Sequence, residues 1–205
     1  MKELIDKLMV RFSQDLPGRP AQYKMSHVLR RAHKPPPIIH KDAAVLILLY
    51  PIQGQPHLVL IERTNHKNDS HSGQMSLPGG RKEVDDIDLE TTALREAEEE
   101  IGVDRSQIEV LGRLTDIFIP VSNFLVTPVV AYTTDRPNFV AAHDEVNLIV
   151  ETPLSIISDE IYRKKKDIII SERMTLKNVP FFDVKNKVVW GATAMILSEL
   201  SALNP

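Results

Sequence analysis

Apolar positions recur along the first segment at Leu4, Ile5, Leu8, Met9 and Phe12, the spacing of one amphipathic helix, which Leu16-Pro17-Gly18 should end. A polar stretch with Arg30, Arg31 and Lys34 follows and closes on Pro35-Pro36-Pro37, which suits neither helix interior nor central strand. Residues 1–38 therefore read as a helical extension and residues 39–205 as the main domain. There the pattern shifts to short apolar runs. Ala43–Tyr50 and His57–Glu62 flank Gln53-Gly54-Gln55 as strand, turn and strand. Leu89–Ile101 returns to helical spacing, with Ala93, Leu94, Ala97 and Ile101 on one side. Gly102 is its stop signal, and Asp86 or Asp88 its N-cap. Strands are expected again at Ile108–Phe118, Phe124–Thr133 and Glu145–Glu151, with shorter ones at Asp167–Ser171 and Lys187–Trp190, before a helix over Ala192–Leu203. Strands before, between and after two helices predict an α/β fold, a mixed β-sheet with helices packed on it.

Composition narrows the class. The chain has 205 residues, 42% of them hydrophobic, enough to bury a core without staples. It has no cysteine, which excludes a disulfide scaffold, a zinc-thiolate site, an iron–sulfur site and a thiol nucleophile. The run Ala43–Tyr50 is far short of the roughly 20 residues that span a bilayer. The charged start, Met1-Lys2-Glu3-Leu4, lacks an export signal's apolar stretch, so a cytoplasmic protein with no membrane contact is the expectation. The net charge of −3 supplies no basic field for nucleic acid. The amphipathic first helix leaves two arrangements open, pairing with a second copy in a homodimer or folding back on its own domain.

The chemistry concentrates between Gly79-Gly80 and Arg95-Glu96-Ala97-Glu98-Glu99-Glu100-Ile101-Gly102-Val103. At about 100° per residue, Glu96, Glu99 and Glu100 share one helix face, and Leu94, Ala97 and Ile101 point the other way. Like charges so placed cost on the order of 1 kcal/mol together unless cations offset them. Such a face is either a solvated acidic surface or a set of hard oxygen ligands suited to Mg²⁺.

Gly80 and the segment Arg95–Val103 resemble the Nudix box, whose pattern is Gly, five residues, Glu, seven residues, then Arg-Glu-aliphatic-x-Glu-Glu-x-Gly-aliphatic. Every fixed position of its second half is met, from Arg95 and Glu96 through Glu99, Glu100 and Gly102 to Val103. One departure stands out. Between Gly80 and Arg95 lie 14 residues, one more than the pattern has, so the loop acid that should pair with Arg95 is Asp86 or Asp88. The longer loop is similar to that of the coenzyme A-hydrolysing branch of the family. So are Leu60-Ile61-Glu62-Arg63-Thr64, His71-Ser72-Gly73-Gln74-Met75-Ser76-Leu77-Pro78-Gly79-Gly80 with Leu77 where Phe is usual, Asp144-Glu145-Val146, Thr152-Pro153-Leu154, and Val189-Trp190-Gly191-Ala192-Thr193-Ala194.

The resemblance implies a Nudix-type α/β/α sandwich and hydrolysis of a nucleoside diphosphate linked to another group, a small-molecule nucleotide substrate. Glu96, Glu99 and Glu100 would hold Mg²⁺ or Mn²⁺, with the carbonyl of Gly80 as a further ligand. Glu96 and Glu145 are the candidate general bases, and Arg95 would orient the glutamates. With coenzyme A or acyl-CoA as substrate, the products would be 3′,5′-ADP and (acyl-)4′-phosphopantetheine. The 3′-phosphate would then meet Arg63 first, with Lys67 and His71 behind it. His71 and Gln74, in the signature loop, are further substrate contacts. The run Arg163-Lys164-Lys165-Lys166 reads rather as a solvated loop, and Trp190 as core rather than a stacking platform. ADP-ribose and NADH are the alternative substrates. A catalytically silent nucleotide-binding variant of the fold is the remaining reading, against which the intact glutamates argue.

Overall fold

The apolar run of residues 43–50 becomes the middle strand of the molecule, buried on both faces as a continuous apolar strand should be. The structure, a computed structural model, describes residues 1–31, 39–64, 73–171 and 174–203. Three helices come first, α1 (Lys2–Phe12), α2 (Gly18–Gln22) and α3 (Val28–Arg31). Next come β1 (Lys41–Ile52), β2 (Gln55–Arg63), β3 (Met75–Ser76), β4 (Gly79–Arg81) and α4 (Leu89–Ile101). Strands β5 (Glu109–Arg113), β6 (Ile117–Ile119), β7 (Phe124–Tyr132) and β8 (Val146–Pro153) follow, then α5 (Ser155–Ser158). The chain ends with β9 (Arg163–Ser171), β10 (Met174–Val184), β11 (Lys187–Val189) and α6 (Gly191–Ala202).

Strands β1 to β8 form one mixed sheet. β1 runs parallel to β7 from Lys41 opposite Phe124 to Leu49 opposite Tyr132. Its other edge pairs antiparallel with β2 at Leu49–Ile52 and with β4 at Ala43–Val45. β8 lies along β2, β3 closes the edge beside Ile61 and Glu62, and β5 and β6 line β7.

Alternation along β1 divides the core in two. Ala44, Leu46, Leu48 and Tyr50 pack with Ala93, Ala97 and Ile101 of α4. Ala43, Ile47 and Leu49 face Leu4 and Leu8 of α1 and Met195, Ile196 and Leu200 of α6. Helices on both faces of a mixed sheet give the predicted α/β/α sandwich.

The expected hairpin at residues 53–54, the α4 boundaries and the closing helix match the structure closely. The strand expected over Ile108–Phe118 is two, β5 and β6, which pair with different stretches of β7. In the C-terminal sheet β11-β10-β9 the short strands expected at Asp167–Ser171 and Lys187–Trp190 are present, within β9 and as β11, and the rest is a correction. Arg163–Lys166 is not a loop but the start of β9, and β10 went unforeseen. Both strands are largely exposed over their outer halves, where no core face imposes alternation on the sequence. Their inner end is anchored by Phe182, Val184 and Val189, which join the α6 side of the core.

Candidate active site

Helix α4 is fixed at both ends by its own sequence. Asp88 is its N-cap, accepting from the Thr91 N–H at 2.8 Å, and Gly102 ends it at φ 68°, a left-handed conformation that favours glycine. Its buried side, Ala93, Ala97 and Ile101, sets the rotation that turns Glu96 and Glu100 toward β4 and β2.

The two candidate loop acids divide their duties. Asp86, buried at 5% exposure, accepts from Arg95 Nε at 3.0 Å and Nη2 at 3.0 Å, from the Glu83 N–H at 2.9 Å and from Thr92 Oγ1 at 3.0 Å. These hydrogen bonds, Arg95's foremost, hold its carboxyl down to about 2 and raise the Arg95 guanidinium further still. Asp88 caps instead. The extra residue of the loop is therefore absorbed after Asp86, around the exposed Ile87. Arg95 Nη2 also donates to the Arg81 carbonyl at 3.0 Å, and the guanidinium reaches Glu96 at 3.0 Å and Glu99 at 2.9 Å. The arginine thus contacts the loop, β4 and two glutamates at once.

The three glutamates sit at different depths: their side chains are 1% exposed at Glu100, 14% at Glu96 and 59% at Glu99. Glu100 Oε2 accepts from the Gly79 N–H at 2.8 Å, and Oε1 lies 3.5 Å from Arg63 Nη1. Burial pushes the Glu100 carboxyl up to about 8. The Gly79 N–H and Arg63 oppose that rise, and the charges of Glu96 and Glu145 add to it. Glu96 is raised by burial too, with Arg95 opposing and Glu99 and Glu145 adding. Glu145, one residue before β8, is exposed and tied to the end of β2 by Thr64, whose N–H donates to the Glu145 carbonyl at 2.9 Å.

The residues present fit a divalent cation. Glu96 presses so closely on Gly80 that a Cβ there would overlap its carboxylate, which sets that carboxylate directly against the glycine backbone. Gly79, at φ 151°, passes equally close to Ala44 and Val45. Buried and near-buried carboxylates with fewer cations than charges are a hard oxygen donor set in want of positive charge. Among the described residues no three acidic or histidine side chains are already gathered at ligating distance. Arg95 holds Glu96 and Glu99, and Gly79 holds Glu100.

Of the other residues singled out by sequence, Arg63 turns to Glu100, and its own N–H donates to the Gln74 carbonyl at 3.1 Å. The side of β2 away from α4 borders an open cleft of about 470 Å³ whose lining includes Gln74 and Trp190. Trp190 is a correction: it lies half-buried on the cleft wall as the N-cap of α6, not in the core. His71 and Lys67 lie outside the described residues. Sequence reasoning missed Lys187 and Asn186 as neighbours of Gln74, because that apposition joins segments far apart in the chain with no local signal.

An α/β/α sandwich with a glutamate-bearing helix, an arginine-braced acidic loop and a glycine strand under the carboxylates defines a class of phosphate-handling hydrolases. The NUDIX domain pattern matches residues 40–150, and the chain belongs to the Nudix hydrolase family. Nudix hydrolase 15, mitochondrial, of Arabidopsis thaliana is 35% identical over 164 residues, covering 77% of this chain and 56% of the plant protein. The chain thus spans little more than half the length of that relative. A Shigella flexneri protein named Uncharacterized Nudix hydrolase NudL is 35% identical over 172 residues, covering 80% of this chain and 83% of its own. Among solved structures, the M. smegmatis Nudix hydrolase RenU shares the fold at a TM-score of 0.52 and 16% identity, covering 80% of this chain and 86% of that one. None of these three names specifies a coenzyme A substrate. Among the described residues no helix is long and apolar enough to cross a membrane.

Proposed function

We propose that this chain hydrolyses the diphosphate of a nucleoside diphosphate joined to a second organic group, with Mg²⁺ or Mn²⁺ held by Glu96, Glu99, Glu100 and the Gly80 carbonyl. The observation that carries this reading is Glu100, buried among carboxylates and short of positive charge beside the Gly79-Gly80 backbone. A bound divalent ion supplies charge neutralisation at the phosphoryl oxygens and acidifies a water. The protein supplies the rest. Arg95 and Asp86 fix the glutamates in place, Gly79 orients Glu100, and exclusion of solvent around Glu100 strengthens each charge interaction. Glu145, whose charge acts on both Glu96 and Glu100, is the group we assign as general base, with Glu96 as the alternative.

Within this class the upstream motif supports coenzyme A or its acyl derivatives, and ADP-ribose and NADH are the alternatives. The first-choice partner for a 3′-phosphate, Arg63, is engaged with Glu100, which removes one argument for coenzyme A and leaves the class intact. The test is incubation with coenzyme A, ADP-ribose and NADH separately, with Mg²⁺ or Mn²⁺ and product identification by mass. A Glu99→Gln/Glu100→Gln double variant serves as control. Wild-type-only release of 3′,5′-ADP and 4′-phosphopantetheine establishes the coenzyme A reading. Release of AMP from another substrate alone keeps the chemistry and discards the motif argument. Activity that survives in the double variant sinks the glutamate assignment.

A further inference from the structure

Strand β9 is an edge with two different halves. Among the described strands it pairs with β10 alone, so its outer edge is open to a further strand. Lys164, Lys165 and Lys166 guard the first half, since a strand laid beside them would have to desolvate their charges. The second half, Ile168-Ile169-Ile170, has no such guard. Ile169 is 77% exposed and Ile170 46%. Three β-branched residues in succession put apolar surface on both faces of the strand, and Leu176, opposite Ile168 on β10, widens one of them. The other surface that could have met a partner is already used, because Leu4 and Leu8 of α1 are buried in the core of their own domain.

We propose that this half-edge pairs with the same half-edge of a second copy of the chain, antiparallel about a two-fold axis, joining the two three-stranded sheets into one. Charge selects both the partner and the register. A two-fold axis through an antiparallel pair sets one residue opposite its own copy, and the sequence of β9 decides which. Centred on Ile169, the axis also sets Ile168 opposite Ile170 of the second copy and Asp167 opposite Ser171, an aliphatic ladder with no like charges facing. Each Lys166 then lies about 20 Å along the strands from its copy, beyond the screening length of about 8 Å at physiological salt. Centred on Lys165, Lys166 or Asp167, the axis sets like charges face to face, and centred on Ile168 it presses Lys166 and Asp167 against isoleucines. A bilayer fits this edge less well. It would cover the isoleucines but leave the backbone of an edge strand without hydrogen-bond partners in hydrocarbon. The contact is small, so association belongs in the micromolar range. It draws on no part of the glutamate site and stands apart from the proposed function.

The chain has no cysteine, so a single introduced thiol can bridge only to its own copy. Residues directly opposite in an antiparallel pair have Cα atoms about 4.5–5.5 Å apart, within reach of a disulfide. Full-length Ile169→Cys should therefore cross-link into a dimer under mild oxidation at least about tenfold faster than Lys166→Cys, whose copies stand too far apart to bridge. In sedimentation, wild type should be monomeric near ~1 µM and increasingly dimeric toward ~100 µM. Ile169→Lys, which sets a charge opposite itself at an exposed position, should stay monomeric throughout with its melting temperature at ~1 µM unchanged. Equal cross-linking at the two positions would reveal random collision and overturn the register. Wild type that remains monomeric at ~100 µM, or Ile169→Lys that still dimerises, overturns the interface. Monomeric wild type that binds phosphatidylserine vesicles, with binding lost in Ile169→Lys, overturns it in favour of a membrane face.

Discussion

Glu100 is buried at 1% exposure, and burial before all else pushes its carboxyl up to about 8. An unfolded glutamate titrates near 4.3, so the folded metal-free protein binds this proton more tightly than the unfolded chain does. The sign follows: below about pH 4 the group costs nothing, and its destabilisation grows as pH rises and levels off above about 8. Glu100→Gln should therefore raise the melting temperature in chelator, by a margin widening from pH 4 to pH 8, each kcal/mol being worth roughly 2–4 °C in a chain of this size. Mg²⁺ should narrow the gap by stabilising wild type alone. Parallel melting curves across that pH range would show that Glu100 is not charge-starved. Asp86 runs the other way. Its carboxyl, held down to about 2 chiefly by Arg95, contributes stability fully present above about pH 4 and lost as pH falls toward 2. Asp86→Asn should cost about 2 kcal/mol at pH 7 and converge on wild type near pH 2. A constant difference in chemical denaturation at both pH values would contradict the pairing.

At the scale of elements, β4 and α4 touch where Glu96 covers Gly80. Gly80→Ala should leave the fold intact and push the Glu96 carboxylate off the strand, raising the Mn²⁺ concentration for half-maximal hydrolysis about tenfold, a second-order consequence of ligand misplacement. Unchanged metal dependence would remove Glu96 from the ligand set. This contact also shows what the sequence made legible. The spacing of Arg95, Glu96, Glu99 and Glu100 sets a helix face and Gly102 its end, so the body and C-terminus of α4 were legible in the sequence. The choice between Asp86 and Asp88 was not, because both stand before the helix and only the fold shows which one meets the guanidinium. β9 and β10 were obscured for a different reason. The run Ile168-Ile169-Ile170 marks the second half of β9, but Lys164, Lys165 and Lys166 hide its start, and Asn178 at φ 55° interrupts β10, which carries neither clean alternation nor an apolar run over its exposed half. The cleft those strands build was invisible with them, and Trp190 was misplaced for want of its other wall.

On the scale of the whole molecule, the first 31 residues are wired into the C-terminal helix. Leu4, Leu8 and Met25 belong to the same apolar cluster as Leu197 and Leu200, and Ser198 Oγ donates to the Ala21 carbonyl at 2.7 Å. Glu199 is fully buried with no ion-pair partner among the described residues, and neutral donors satisfy it instead: the Gly18 N–H at 3.1 Å, Gln22 Nε2 at 2.8 Å and Thr115 Oγ1 at 2.7 Å. A buried carboxylate so held is destabilising once its donors go. Gln22→Ala should therefore cost about 1–3 kcal/mol in urea unfolding, with hydrolysis per folded molecule unchanged because Glu199 and the glutamates of α4 lie on opposite faces of the sheet. A chain starting at residue 39 should lose far more, since it strips the apolar cover from α6 and leaves Glu199 facing Thr115 alone. Its expected behaviour is a lower midpoint with Trp190 fluorescence changing before helicity, as the α6 side loosens ahead of the α4 side. A shortened chain that unfolds at the wild-type midpoint, with both signals coincident, would mean that the N-terminal helices rest on the domain without supporting it.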